Sequence, residues 1–135
     1  MNEPCGEPMP APGPHSILVV EDEALIRMMI ADDLRQAGFK IIEAANADDA
    51  LKVLQTSVKV DMVLTDIRMP GSLDGLELAR RVRANWPKLK ILIVSGEPRS
   101  TLAGTPADAF LGKLYRRTEL IDCINQLLGK QNDQP

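Results

Sequence analysis

The chain has 135 residues, 44% of them hydrophobic and 26% charged, with a formal net charge of −3. That length suits one domain with a proper core. The mildly acidic balance argues against a nucleic-acid binder, and no apolar run nears the roughly 18 residues of a bilayer span. The N-terminus lacks the basic-then-apolar order of a signal peptide, which makes the cytoplasm the default location. Arg80, Arg81 and Arg83, like Arg116 and Arg117, read as solvated helix faces. Two cysteines make no disulfide framework: Cys5 falls in an expected tail and Cys123 on the apolar side of an expected helix. The only histidine, His15, lies at the edge of the same tail. Ser-His-Asp and Cys-His catalysis, and any histidine-based zinc site, are thereby removed from the folded body. Carboxylates, hydroxyls and amines are left to carry any chemistry.

In chain order, residues 1–15 hold five of the ten prolines and read as a disordered or extended leader. Residues 17–20 are apolar throughout, a central strand ending at Glu21-Asp22-Glu23. Ile26, Met29, Ile30 and Leu34 then recur at helical spacing up to Ala37, and Gly38 supplies the stop. Residues 39–43 form a second strand, and Asn46 caps a helix over 47–55 with Ala50, Leu51 and Leu54 inward. The apolar run 60–65 reads as a buried third strand ending in Asp66, with Met69-Pro70-Gly71 forcing a loop. A helix over 73–84 turns Leu76, Ala79 and Val82 to one side. Residues 90–94 are a fourth strand, stopping at Ser95-Gly96. Pro98, Gly104 and Pro106 leave 97–108 with one turn of helix or none. Residues 109–112 form a short fifth strand ending at Lys113. Thr118 caps a last helix carrying Leu120, Ile121, Ile124, Leu127 and Leu128, closed by Gly129. Residues 130–135 read as a flexible tail.

Strands alternating with helices imply an α/β domain with a doubly wound parallel sheet, because right-handed crossovers cover both faces. All strand carboxyl ends then share one edge, where such sheets bind ligands. Taken alone, Asp66 is most simply a turn-opening residue. Three other strand ends also carry polar groups: Glu21 and Asp22, Ser95, and Lys113. Clustered carboxylates raise one another's pKa unless something positive neutralises them. A hard cation such as Mg²⁺ does so with one or two carboxylates plus waters and phosphate oxygens. The lysine and the serine hydroxyl suit an incoming anion. Together they form a kit for phosphoryl transfer, with Asp66 the best-placed nucleophile and an aspartyl phosphate the product.

Four short motifs carry a resemblance: Leu18-Val19-Val20-Glu21-Asp22, Leu64-Thr65-Asp66-Ile67-Arg68-Met69-Pro70, Ile93-Val94-Ser95-Gly96 and Phe110-Leu111-Gly112-Lys113. Each is weak alone. In order, with spacings of 44, 29 and 18 residues between Asp22, Asp66, Ser95 and Lys113, they are very specific. Over residues 17 to 128 the chain resembles the receiver domain of a two-component response regulator. The resemblance implies a flavodoxin/CheY-like five-stranded sheet in the order 2-1-3-4-5. It implies Asp66 as phosphoacceptor, and Mg²⁺ held by Glu21, Asp22, Asp66 and the main-chain carbonyl of Arg68. Glu21 stands where the family usually has Asp, so its longer arm would act through water. Lys113 would pair with the phosphoryl group, and Ser95 and Phe110 would form the switch. Two features depart from the family. Leu114 follows the lysine in place of a cis-bonded proline, and a trans bond is expected because cis costs about 3–4 kcal/mol there. The Ser95–Lys113 segment is also short, so the fourth crossover helix should be stunted or missing.

With residues 16–129 as the receiver domain and no output domain after them, the expectation is a stand-alone response regulator, not a turnover enzyme. Its expected donor is a sensor histidine kinase or histidine phosphotransfer protein, and its output a downstream protein target. Neither nucleic acid nor membrane is expected as partner, and the chain should be a monomer or weak dimer. Leu25, Met28 and Met29 widen the apolar side of the first helix, as either a wide buried face or a docking patch. One rival is a receiver-fold interaction module that never takes phosphate. An aspartyl-nucleophile phosphatase would want an Asp at position 68, which is Arg. A flavodoxin-like cofactor carrier would need a hydroxyl-rich phosphate loop where Glu21-Asp22-Glu23 repels phosphate.

Overall fold

Strands that are apolar on both faces need cover on both faces, and the helices supply it. The computed structural model describes residues 14–67, 74–96, 104–113 and 115–129. Among them are strands β1 (Ser16–Val20), β2 (Lys40–Ala44), β3 (Met62–Asp66), β4 (Lys90–Ser95) and β5 (Ala109–Gly112). The helices are α1 (Ala24–Gln36), α2 (Ala47–Leu54), α3 (Gly75–Asn85) and α4 (Arg117–Leu128). The sheet is wholly parallel, in the expected order β2-β1-β3-β4-β5. Alternate strand residues feed two cores. Leu18, Val20, Val63, Ile91 and Ile93 pack under α2 and α3, with Ala50, Leu78, Ala79 and Val82. Ile17, Val19, Met62, Leu64, Leu92 and Val94 pack under α1 and α4, with Ile30, Leu34, Leu120 and Ile124.

Helix ends follow local chemistry. The Asn46 side chain accepts from Asp49 N at 2.8 Å, as a capping residue should. Two starts differ from expectation. Asp74 caps α3 by accepting from Glu77 N at 2.9 Å, so that helix begins at Gly75. α4 begins at Arg117, one residue before Thr118. The Glu119 carboxylate reaches back to Arg116 N at 2.6 Å and does the capping instead of a hydroxyl. Gly129 closes α4 at φ 69°, a left-handed conformation that only glycine adopts freely. On α3 the expected Ala79 and Val82 are buried, Leu76 is half-buried against the same core, and Leu78, not expected, is fully buried.

α1 departs most. Ile30, Ala31 and Leu34 seat its C-terminal half on the sheet. Met29 and Ile26, expected in the core stripe, are 65% and 36% exposed, and Leu25 and Met28 are 76% and 51% exposed. A wide buried face is not what the structure shows: the apolar side of the first turns of α1 is exposed.

Between β4 and β5 the described residues, Gly96 and 104–108, contain no helix. The connection has room for no more than about two turns, in keeping with a shortened fourth crossover. A side-chain clamp helps to hold the edge strand. The Asp108 carboxylate accepts from Ile91 N and from Arg83 Nη2, both at 2.7 Å, and Asp108 N donates to Ile91 O at 2.9 Å. Residues 1–13 of the leader, the tail from 130, Arg68 to Leu73, and Leu114 lie outside the described residues. Among the described helices none is long and apolar enough to cross a membrane.

Candidate functional site

Strand alternation decides which polar ends meet. Asp66 follows Met62 and Leu64, Glu21 follows Ile17 and Val19, and Lys113 follows Ala109 and Leu111, all on the α1/α4 face. At the carboxyl edge these three line one cavity of about 140 Å³, floored by Ile30, Leu64 and Val94 and walled by Tyr115. Lys113 Nζ donates to Asp66 Oδ2 at 2.5 Å, joining residues 47 positions apart. Ile67 N donates to Asp66 Oδ1 at 2.6 Å, so both carboxylate oxygens are held. Asp66 is 7% exposed. The carboxylate holds the Lys113 ammonium above its usual pKa, against the smaller downward pull of burial.

Glu21, 4% exposed, is the second carboxyl of the cavity. Its pKa is pushed up to about 7, first by burial and then by the Asp22 and Asp66 carboxylates; a hydrogen bond from Glu23 N to Oε2 at 3.0 Å pulls the other way. Repulsion between the carboxylates therefore contributes less than burial does. Asp22 is exposed at the rim. Among the described residues no three ligating side chains stand close enough to hold a metal ion by themselves. A buried carboxyl near 7 beside two further carboxylates nonetheless fits a hard cation that keeps most of its water.

Ser95 and Phe110 belong to the other face. Ser95 continues Ile91 and Ile93, and Phe110 is the Cα partner of Ile93, half-buried against the α2/α3 core. Ser95 is buried, one residue beyond Val94, the Cα partner of Asp66. Its carbonyl accepts from Lys113 N at 3.1 Å, which sets where the lysine leaves the strand. Arg68 lies outside the described residues.

Three residues escaped the sequence reading. Gly75 opens α3 so close to β3 that an added Cβ would lie 2.0 Å from the Asp66 carbonyl oxygen, and Gly75 N donates to Ile67 O at 2.8 Å. The only advance signal was a glycine after a capping Asp. Arg27 donates from Nη1 to the Glu21 carbonyl at 2.7 Å. Tyr115 walls the cavity, its phenol pushed up in pKa mainly by burial.

Comparison with known proteins agrees with this fold. The family model described as the response regulator receiver domain matches residues 17–125. A sensor kinase, CckA of Brucella abortus, is 34% identical over 125 residues, which is 89% of this chain and 13% of that protein. The phosphate regulon transcriptional regulatory protein PhoB of Pseudomonas aeruginosa is 35% identical over 121 residues, 85% of this chain and 52% of that one. The chain thus spans about half or less of these curated relatives. Among solved structures, the response regulator TrrA of Thermotoga maritima, in complex with Mg(2+)-BeF, is 35% identical with a TM-score of 0.77, covering 84% of this chain and 98% of that one. A response regulator receiver protein from Sinorhizobium medicae is 30% identical, TM-score 0.80, covering 86% and 95%.

Two outcomes follow from this geometry. Glu21 has a raised folded pKa, so its contribution to stability is full below about 4.5 and is lost as pH rises through about 7. Glu21→Gln, which mimics the neutral acid, should therefore stabilise the metal-free protein at pH 8 by up to about 3 kcal/mol and by nothing at pH 4. Urea unfolding at the two pH values measures this, and a pH-independent difference would contradict it. Gly75→Ala should cost about 1–3 kcal/mol or more, since the new methyl meets backbone that cannot rotate away. The amide resonances of Asp66 and Ile67 should shift with it, and an unchanged melting temperature would show that α3 can slide freely.

Proposed function

The chain belongs to the response regulator receiver domain family, and on that premise we propose that it is a Mg²⁺-dependent phosphoacceptor signalling by protein docking. The observation that carries this reading is the buried Asp66 carboxylate at the sheet's carboxyl edge, paired with Lys113 Nζ at 2.5 Å beside Glu21. A phosphohistidine of a sensor histidine kinase or histidine phosphotransfer protein is the donor. An Asp66 oxygen attacks phosphorus, the phosphorus–nitrogen bond breaks, and its electron pair leaves on the imidazole ring. Lys113 then turns from the carboxylate to the phosphoryl oxygens, where its positive charge is retained. Glu21, Asp22, Asp66 and the main-chain carbonyl of Arg68 would hold the cation. When bound, Mg²⁺ offsets negative charge on the transferring group.

Ser95 donates its hydroxyl to the phosphoryl group. Because Ser95 and Phe110 share the α2/α3 face, movement of the serine changes the space beside the half-buried ring, and that couples the phosphate to a downstream protein target. The module is spent and reset at Asp66 rather than turning over substrate. Similar stretches in a protein named as a sensor kinase and in a transcriptional regulatory protein support a place in two-component signalling.

The exposed apolar side of α1 is the dock for the donor. Leu25, Met28 and Met29 form a soft apolar patch, and Ile26 from the same turns lines the Asp66 cavity. A helix bearing the phosphohistidine, laid on this patch, brings its imidazole to the mouth of the cavity.

Incubation with Mg²⁺ and acetyl phosphate should add one phosphoryl group by intact mass, and Asp66→Asn should abolish the gain. A receiver-fold interaction module would gain nothing, and an aspartyl phosphatase would release phosphate without retaining it. Leu25→Glu or Met28→Glu should slow transfer from a phosphohistidine protein about tenfold or more, as loss of an apolar anchor does. Labelling by acetyl phosphate should stay at the wild-type rate, and equal slowing of both donors would remove α1 as the dock.

A further inference from the structure

Both backbone polar groups of Glu21 are held from the β2 side of the sheet. Glu21 N donates to the Ala44 carbonyl at 3.1 Å, and the Glu21 carbonyl accepts from Arg27 Nη1 at 2.7 Å. The same guanidinium donates from Nε to Glu43 Oε1 at 3.2 Å, and the other Glu43 oxygen takes Arg35 Nη2 at 3.3 Å. Arg27 is largely shielded, its side chain 18% exposed.

We propose that Arg27, braced by Glu43, is a positioning residue that aims the acidic turn Glu21-Asp22-Glu23 at the cation beside Asp66; this rests on the phosphoacceptor reading above. Glu21 and Asp22 are adjacent acidic side chains that interact with each other on this turn. A fork anchored at one end on the β2 carboxylate, with its other arm on the Glu21 carbonyl, fixes the peptide plane from which Asp22 departs. Partly exposed ion pairs add little to stability. The geometry thus assigns this pair to aim rather than to folding. Arginine does not deprotonate in proteins, so the brace holds whatever the state of Glu21.

The test is Mg²⁺ binding by titration calorimetry without phosphodonor, alongside thermal unfolding in chelator. Arg27→Gln should weaken Mg²⁺ binding by about tenfold or more, the usual effect of losing a group that orients a ligand. Glu43→Gln should do the same through Arg27, so the double variant should be no weaker than Arg27→Gln alone. Arg27→Lys should recover part of the affinity, and melting in chelator should stay near wild type throughout. Should Arg27→Gln fail to fold, Glu43→Gln and Arg27→Lys carry the decision. Wild-type Mg²⁺ affinity in these variants, or independent losses that multiply in the double variant, would overturn the assignment while leaving the phosphoacceptor reading intact. A wild-type protein that binds no Mg²⁺ and takes no phosphoryl group would overturn both.

Discussion

The structure turns on keeping a nearly buried carboxylate charged. Asp66 has 9% of its side chain exposed, and such a charge is tolerated only when paired and hydrogen-bonded. Lys113 supplies the charge and Ile67 N the hydrogen bond. The lysine reaches Asp66 because β5 pairs with β4 in a register that places Gly112 opposite Ser95. The carboxylate in turn lies where it does because β3 ends against the first residue of α3. Lys113 remains 42% exposed, so it is the movable member of the pair while Asp66 is the fixed one.

Around that pair the edge of the sheet divides its work between faces. The α1/α4 face gathers the groups that handle charge: Glu21, Asp66 and Lys113, with Tyr115 as a wall. Ser95 and Phe110 occupy the strand positions of the α2/α3 face, and Phe110 packs against its apolar core. A strand has only two sides, so successive residues on neighbouring strands separate the charge-handling cavity from the apolar side without any further device. On the third level, α1 leaves its first turns uncovered while its second half closes the core. One helix thereby serves both packing and, on the proposed reading, recognition.

Glu21 shows how burial can set chemistry more strongly than neighbours do. Burial raises its pKa to about 7, ahead of the contributions of the Asp22 and Asp66 carboxylates. Its backbone is fixed from β2, through Ala44 and through the Arg27–Glu43 brace, so the side chain has little freedom to escape to water. The clamp of Asp108 on Ile91 and Arg83 has the same logic at the opposite edge strand.

What the amino-acid order determined by itself is the layout. Apolar segments at residues 17–20, 62–64, 91–94 and 109–111, interspersed with helical stretches, require a two-sided parallel sheet and bring Asp66 and Lys113 to one edge. Asn46 and Gly129 announced their helix ends because capping is chemistry within a few residues. Tertiary structure decided what depends on distance between chain-remote atoms. Periodicity put Met29 and Ile26 in the core, yet Met29 is largely exposed and Ile26 only lines the cavity edge. It missed Leu78 because a buried face wider than the expected stripe depends on what packs against it. It gave no sign that α3 would press on the Asp66 carbonyl, or that Arg27 would reach across to Glu21 and Glu43. Hydrophobic spacing records which side of an element is buried; the partner that buries it is set by register and crossover, which no local window contains.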